Sequence, residues 1–317
     1  MRIIFRADAS TSVGTGHVMR CIAIMEEALS RSVECIFVGS LGGIQWLEQK
    51  FMELDVRQYA DFGHFNSDNK RDVLVLDSYS IPIFDENIQP THWKTVVAIA
   101  DDSTPNYNAS LVVKVGLQKF ECEELESILI GGPKYVPFRK SIKKIPFKSS
   151  DQISKILVFA GGADRYNFAG CMAKGLSNMA GFSEAVFFTN SKDSFPKLDS
   201  RFRLKQFSTE IDAELEDSDL VFTTASMSSL EIVARELPLG VCCTTDNQIS
   251  YYQDLTSQNV AVGIGTLIEH KIWNLEWSKI RDLVIDTRIR SNLVSNMKDF
   301  FDLQGSSRIV DKILAGI

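Results

Sequence analysis

Short blocks of apolar residues alternate with stretches in which apolar positions recur every three or four residues, and this rhythm runs along the whole chain. Blocks that are apolar on both faces read as buried parallel strands, and the helical recurrence reads as amphipathic helices laid over them. Ile3, Ile4 and Phe5 open the series; Val18, Cys21, Ile22, Met25, Ala28 and Leu29 follow at helical spacing. Residues 1–30 therefore form a strand, a Ser/Thr/Gly loop and a helix. Further strands are expected at 34–39, 72–77, 96–101 and 111–115, with a helix at 45–54. After residue 150 the rhythm resumes, with strands at 156–160, 185–189, 203–207, 220–223 and 239–244. Helices are expected at 168–178 and after the small-residue loop 223–229, where Leu230, Val233 and Ala234 mark the inner face. Strands alternating with helices indicate an α/β protein with parallel sheets.

Between residues 131 and 150 the pattern breaks. Three prolines and a basic run (Arg139, Lys140, Lys143, Lys144 and Lys148) occur there without an acid. The simplest reading is a solvated linker, and a basic hand on a phosphorylated ligand is the sharper one. Two domains result, 1–146 and 147–317, as a length of 317 residues also suggests.

Composition narrows the function. A net charge of −7 argues against nucleic acid or an anionic membrane surface as the main partner. No apolar run approaches bilayer length and no secretory h-region opens the chain, so a cytoplasmic protein without membrane insertion is expected. The six cysteines (Cys21, Cys35, Cys122, Cys171, Cys242 and Cys243) form no C-x-x-C pair and read as reduced core thiols. With four scattered histidines they offer no metal site by spacing.

Candidate chemistry gathers at strand ends. Gly14 and Gly16 bracket Thr15 in the first strand-to-helix loop, and His17 follows at the helix start, where the dipole favours a neutral imidazole able to accept a proton. A tight turn with a capping histidine would explain the same residues. A dinucleotide fingerprint fails, because Met19 stands where a third small residue is needed. Asp77 and Asp101 end the strands 72–77 and 96–101, and Asp8 lies just past the first strand. Singly, each acid is accounted for as a turn cap; together with His17 on the carboxyl edge of one sheet they outline a polar cleft. In the second half, the loop 223–229 offers helix N-terminal amides and Ser226, Ser228 and Ser229 to a diphosphate. Glu231 could then accept two ribose hydroxyls, or close a capping box with Ser228.

The stretch RADASTSVGTGHVMRC resembles the opening motif R-x-D-x-x-x-x-x-G-x-G-H-x-x-R of the UDP-2,4-diacetamido-2,4,6-trideoxy-β-L-altropyranose hydrolases of pseudaminic acid biosynthesis, shared with related polysaccharide-biosynthesis proteins. Arg6, Asp8, Gly14, Gly16, His17 and Arg20 meet every fixed position. Asp77-Ser78-Tyr79 resembles the family's D-[HS]-Y, Asp101-Asp102 its acidic pair, and Pro133 and Tyr135 its G-P-x-Y. Gly161, Gly162, Asp164 and Asn167 resemble F-G-G-S-D-x-x-N, Asp246-Asn247-Gln248 its D-N-Q, and residues 302–314 its D-x-x-G-x-x-R-V ending. The TTASMSS loop keeps Glu231 but lacks the family's diphosphate-loop glycines, and Val113-Lys114-Val115 replaces a segment that often carries Asn.

The resemblance implies two Rossmann-like domains of glycosyltransferase-B type with an interdomain cleft. It implies an inverting, metal-independent hydrolysis of a UDP-sugar, needing no cofactor, with His17 as base. On the sugar side it places Asp8, Gly14, Gly16, Arg20, Asp77 and Tyr79. On the nucleotide side it places Gly161, Gly162, Glu231, Asn247 and Gln248, beside Ser226, Ser228 and Ser229 of the small-residue loop. A glycosyltransferase of the same fold, a hydrolase of another nucleotide sugar and a non-catalytic sugar-nucleotide-binding protein remain open alternatives.

Overall fold

The structure is a computed structural model of the chain. It describes all residues except 11–12, 66–68, 102–103, 124–126, 162–163, 190–194, 196–198, 209–210, 269–271 and 317, and all their side chains except those of 69, 120–123 and 268. The chain divides into two compact units, Met1–Lys140 with Asp302–Ile317, and Ser141–Phe301.

The first unit is built on eight strands: β1 (Ile3–Ala7), β2 (Cys35–Val38), β3 (Arg57–Tyr59), β4 (Val73–Asp77), β5 (Thr95–Ala100), β6 (Leu111–Lys114), β7 (Phe120–Glu123) and β8 (Ile128–Gly131). Their order is β3-β2-β1-β4-β5-β6-β8-β7, and every pairing is parallel except β7 with β8. Strands β2, β4 and β5 are buried along their whole length, as their unbroken apolar sequences require. Helices α1 (Gly16–Ser30) and α2 (Gln45–Glu53) belong to this unit. Phe51 of α2 meets Phe37 of β2 with ring centroids 4.6 Å apart. Each such buried side chain contributes about 1.5–3 kcal/mol through burial.

The second unit repeats the plan. It contains β9 (Ile153–Phe159), α3 (Phe168–Leu176), β10 (Phe182–Phe188), β11 (Phe202–Lys205), α4 (Ile211–Glu216), β12 (Leu220–Thr224), α5 (Met227–Ala234), β13 (Leu239–Cys243), α6 (Ile249–Ser257), β14 (Val262–Ile268), β15 (Ile272–Leu275), α7 (Trp277–Ile285) and α8 (Thr287–Met297). The order is β11-β10-β9-β12-β13-β14-β15, antiparallel only between β14 and β15.

In each sheet the chain turns back on its own order, at β1/β4 and at β9/β12. Such a switch point opens a crevice at the carboxyl ends of the strands. Ala7 lies opposite Asp77 in the β1–β4 register, so the loop after β1 starts level with that aspartate. On the other side of β1, Gly39 sits at φ +146, where a Cβ would lie 1.8 Å from the Ala7 carbonyl oxygen. Only glycine fits there.

Two findings differ from the sequence expectations. The chain ends in the first unit and not in a 147–317 domain, because α9 (Gly305–Ala315) packs Ile309, Val310 and Ile313 inward and lies on α1. Arg31 at the end of α1 ties it further, reaching Asp311 at 2.5 Å and the Ser307 hydroxyl at 2.6 Å. The segment 131–150 is no solvated linker either. Val136, Phe138, Ile142 and Ile145 are buried, Lys144 pairs with Glu236 and Asp299, and Lys140 pairs with Glu27. The boundary between the units does fall inside it.

Burial pushes the thiols of Cys21 and Cys242 well above their ordinary range and that of Cys35 up to about 12, which makes them unreactive. Among the described residues, no helix is long and apolar enough to cross a membrane.

Candidate functional site

The β1–α1 loop is braced by a bridge in which the Gly14 amide donates to the Ser10 carbonyl at 2.8 Å. Gly14 holds φ +87, a left-handed conformation that favours glycine. Gly16 is the first residue of α1 and His17 the second. Asp8 makes its contacts with other groups. It pairs with Arg6 at 2.8 Å and accepts the Ser40 amide at 2.9 Å, which makes it a brace for the neighbouring loop.

His17 is only 5% exposed, and its Nδ1 lies 2.5 Å from Oδ1 of Asp77, which is fully buried. Arg20, one turn further along α1, donates Nε to Asp77 Oδ2 at 2.8 Å and Nη2 to Asp77 Oδ1 at 2.7 Å. Its Nη2 also stands 2.9 Å from His17 Nδ1. Both cannot be bonds to the same ring nitrogen with one proton. A carboxylate at that distance requires Nδ1 to carry hydrogen, and Nη2 is close because it shares the same carboxylate oxygen. The ring's basic nitrogen is therefore Nε2.

Arg20 also donates Nη1 to Oδ2 of Asp101 at 3.1 Å. The same oxygen accepts the Tyr79 hydroxyl at 2.5 Å, and the Tyr79 ring stands edge-on to His17 with centroids 4.2 Å apart. His17, Arg20, Asp77, Tyr79 and Asp101 thus form one connected network at the β1/β4 switch point. Its two carboxylates outnumber its guanidinium, leaving one excess negative charge while the imidazole is neutral. Arg20 was expected beside a sugar, but it is almost wholly buried and serves as a clamp between Asp77 and Asp101. Among the described residues, no group of three His, Cys, Asp or Glu side chains is arranged to hold a metal ion. Asp102 lies outside the described residues.

Two residues of this centre carry no motif. Thr104 accepts the Asp101 amide at 2.9 Å and donates to its Oδ1 at 3.3 Å, fixing the carboxylate from behind. Tyr107, buried, donates to the carbonyls of Ser78 and Ile81. Only their nearness to a strand-end aspartate in sequence could have suggested them.

In the second unit the nucleotide-side candidates gather on the carboxyl edge of β9, β12 and β13. Gly161 follows β9 at φ +66; Gly162 lies outside the described residues. Asp164 is buried and accepts the Phe168 and Ala169 amides at 2.6 and 3.0 Å, so the start of α3 is already capped by a carboxylate. Burial raises its carboxyl above the ordinary value, against those hydrogen bonds.

Helix α5 is capped differently. The Ser229 hydroxyl accepts the Ser226 amide at 3.0 Å and donates to the Ser226 carbonyl at 2.6 Å. The reciprocal cap therefore joins Ser226 to Ser229, not Ser228 to Glu231, and the buried Ser229 hydroxyl faces its own helix. Glu231 comes after the first turn and is half-buried. Ser226 and Ser228 are half-exposed at the helix start. After β13, Gln248 accepts the Thr244 amide at 3.0 Å and its hydroxyl at 2.9 Å, while exposed Asn247 accepts the Thr245 hydroxyl at 2.6 Å.

No protein-family model matches the chain. Among solved structures it is similar to MurG of Acinetobacter baumannii (TM-score 0.64, 10% identity, 99% of this chain and 100% of that one). It is also similar to CalG4, the calicheamicin glycosyltransferase (TM-score 0.64, 14% identity, 100% and 98%). The fold is of glycosyltransferase-B type. Among curated proteins the chain is similar to the UDP-2,4-diacetamido-2,4,6-trideoxy-β-L-altropyranose hydrolase of Campylobacter jejuni, at 22% identity over 265 residues, covering 79% of this chain and 94% of that protein.

Proposed function

We propose that this protein processes a nucleotide sugar, and specifically that it hydrolyses a UDP-sugar at the anomeric C–O bond with inversion. The observation that carries the reading is the Asp77–His17 contact, which protonates Nδ1 and leaves Nε2 as a buried, aimed base. The similarity to a UDP-sugar hydrolase supports it.

In this mechanism Nε2 takes a proton from water as the oxygen attacks C1, and the C1–O bond breaks with its electron pair leaving on UDP. Asp77 then faces the imidazolium that has formed, as a carboxylate does behind a catalytic histidine. Glycosyl transfer passes through an oxocarbenium-like transition state, and the excess negative charge of the network suits that cation while repelling a diphosphate. Donors suited to an anion occur in the second unit, in the amides at the start of α5 and the Ser226 and Ser228 hydroxyls. Glu231 is the candidate acceptor for the ribose. Because a guanidinium stands between Asp77 and Asp101, that pair is not built to bridge a metal.

Hydrolysis in ¹⁸O-labelled water tests the reading. The label should enter the sugar at C1, with inverted configuration at first, and the UDP should be unlabelled. Label in UMP or in a sugar 1-phosphate, with activity lost in EDTA, would overturn it. A second reading, transfer to an acceptor hydroxyl, draws on Ile83 and Phe84, which are exposed on the loop after Tyr79 and would suit an apolar acceptor. UDP release from donor alone separates the two.

A further inference from the structure

Tyr79 reaches His17 from the turn 78–81, which has no regular secondary structure and must be held from outside. Tyr107, between β5 and β6, holds it. Its ring is buried in a core cluster with Ile81, Ile88, Trp93 and Ala109. Its single hydroxyl proton is shared in a three-centre bond between the Ile81 carbonyl at 3.0 Å and the Ser78 carbonyl at 3.2 Å. Among the described residues, no other donor meets either carbonyl. A buried carbonyl left without a donor is costly, so one phenol closes both ends of the turn. Burial raises the Tyr107 phenol above its ordinary value, which keeps the donor proton in place.

The turn matters because of what it does to the imidazole. A single hydrogen bond from Nδ1 to Asp77 does not by itself fix the torsion about the His17 Cβ–Cγ bond, and small turns about that bond swing Nε2. The edge-on contact with Tyr79 restrains those turns. The Tyr79 ring is itself fixed at its hydroxyl by Asp101 and at its backbone by the closed turn.

We propose that Tyr107 is a positioning residue for the His17 centre: by closing the turn 78–81 it sets Tyr79 against the imidazole and so aims Nε2. The kinetic consequence rests on the hydrolase reading, whereas the geometric consequence does not, and the experiment reads them separately.

The chain has four histidines, so the His17 ring resonances can be assigned by NMR against His17→Asn. In Tyr107→Phe the His17 ring protons should shift, because the Tyr79 ring current no longer falls on them in the same way. With UDP-2,4-diacetamido-2,4,6-trideoxy-β-L-altropyranose as donor, kcat should fall about 10- to 100-fold, and KM should stay within a few-fold. Trp93→Phe is the control. Trp93 belongs to the same cluster but donates to the Asn87 carbonyl, so its loss should lower the melting temperature and leave the His17 resonances and kcat unchanged.

Unmoved His17 resonances in Tyr107→Phe, or equal shifts in Trp93→Phe, overturn the proposal. Displaced resonances in Tyr107→Phe alone support it, even if the protein proves to hydrolyse no UDP-sugar. If Tyr107→Phe does not fold, Tyr107→Met, which also removes the donor and adds no imidazole resonance, gives the same two outcomes.

Discussion

At the switch point of the first sheet, side chains satisfy one another: His17, Arg20, Asp77, Asp101 and Tyr79 are joined by short hydrogen bonds and mostly withdrawn from water. At the matching point of the second sheet, the groups on offer are a positive-φ glycine, half-exposed serines and the start of α5. Both units share the order 3-2-1-4-5-6 around that point. The contrast is one topology carrying two kinds of strand-end edge. A pre-formed, charged and internally paired cluster is suited to moving a proton, because its geometry is set before a ligand arrives. A rim of backbone amides and hydroxyls is suited to an anion that brings its own charge. In the second unit even this choice is local, since Asp164 fills the start of α3 whereas the start of α5 is closed by a serine hydroxyl.

If the division holds, mutations on the two sides separate rate from affinity. His17→Asn should have the largest effect, abolishing turnover of the UDP-sugar while calorimetry finds UDP affinity within a few-fold of wild type. Asp77→Asn should follow, lowering kcat on the order of 10²–10⁴ because an amide no longer selects the Nδ1–H tautomer. A variant at either position with near wild-type kcat would break the comparison on the first side. On the second side, Glu231→Ala should weaken UDP binding about tenfold or more, the worth of hydrogen bonds to a charged group, with a smaller change in kcat. Unchanged UDP affinity at an unchanged melting temperature would remove Glu231 from the nucleotide site. The smallest effect is expected of Ser229→Ala, which deletes a cap worth about 1 kcal/mol in a denaturant titration and should leave UDP affinity within a few-fold. A large loss of affinity there would mean that the hydroxyl turns outward when nucleotide binds.

The sheet centres were readable because β1, β4, β5, β9 and β12 are apolar on both faces, a pattern few other structures require. Strand β3 was not, since it is three residues long at the sheet edge, with Arg57 and Gln58 exposed and Tyr59 alone packed on the core. The short β15, half-exposed at the other sheet's edge, escaped for the same reason. Of the site, His17, Asp77 and Tyr79 were placed on one edge by their strand ends and by motif. What each side chain does there depends on its direction, which sequence spacing does not carry: Arg20 turned inward to bind two aspartates, and Asp8 turned to Arg6. The cap of α5 was misplaced because three serines and a glutamate give overlapping S-x-x-[SE] pairings, and only the position of the first helical residue decides among them.

The passage of the chain out of one unit, through the other and back gives α9 a place in the history of each molecule as well as in its packing. On a ribosome the strands of the first unit emerge early, and the whole of Ser141–Phe301 is made before α9 appears. At roughly 5–20 residues per second, the face of α1 that receives Ile309, Val310 and Ile313 waits roughly 15–55 seconds for its cover. The helix that bears His17 thus stays uncovered while the whole of Ser141–Phe301 is made, and a nascent chain halted just short of α9 would leave that face of α1 open.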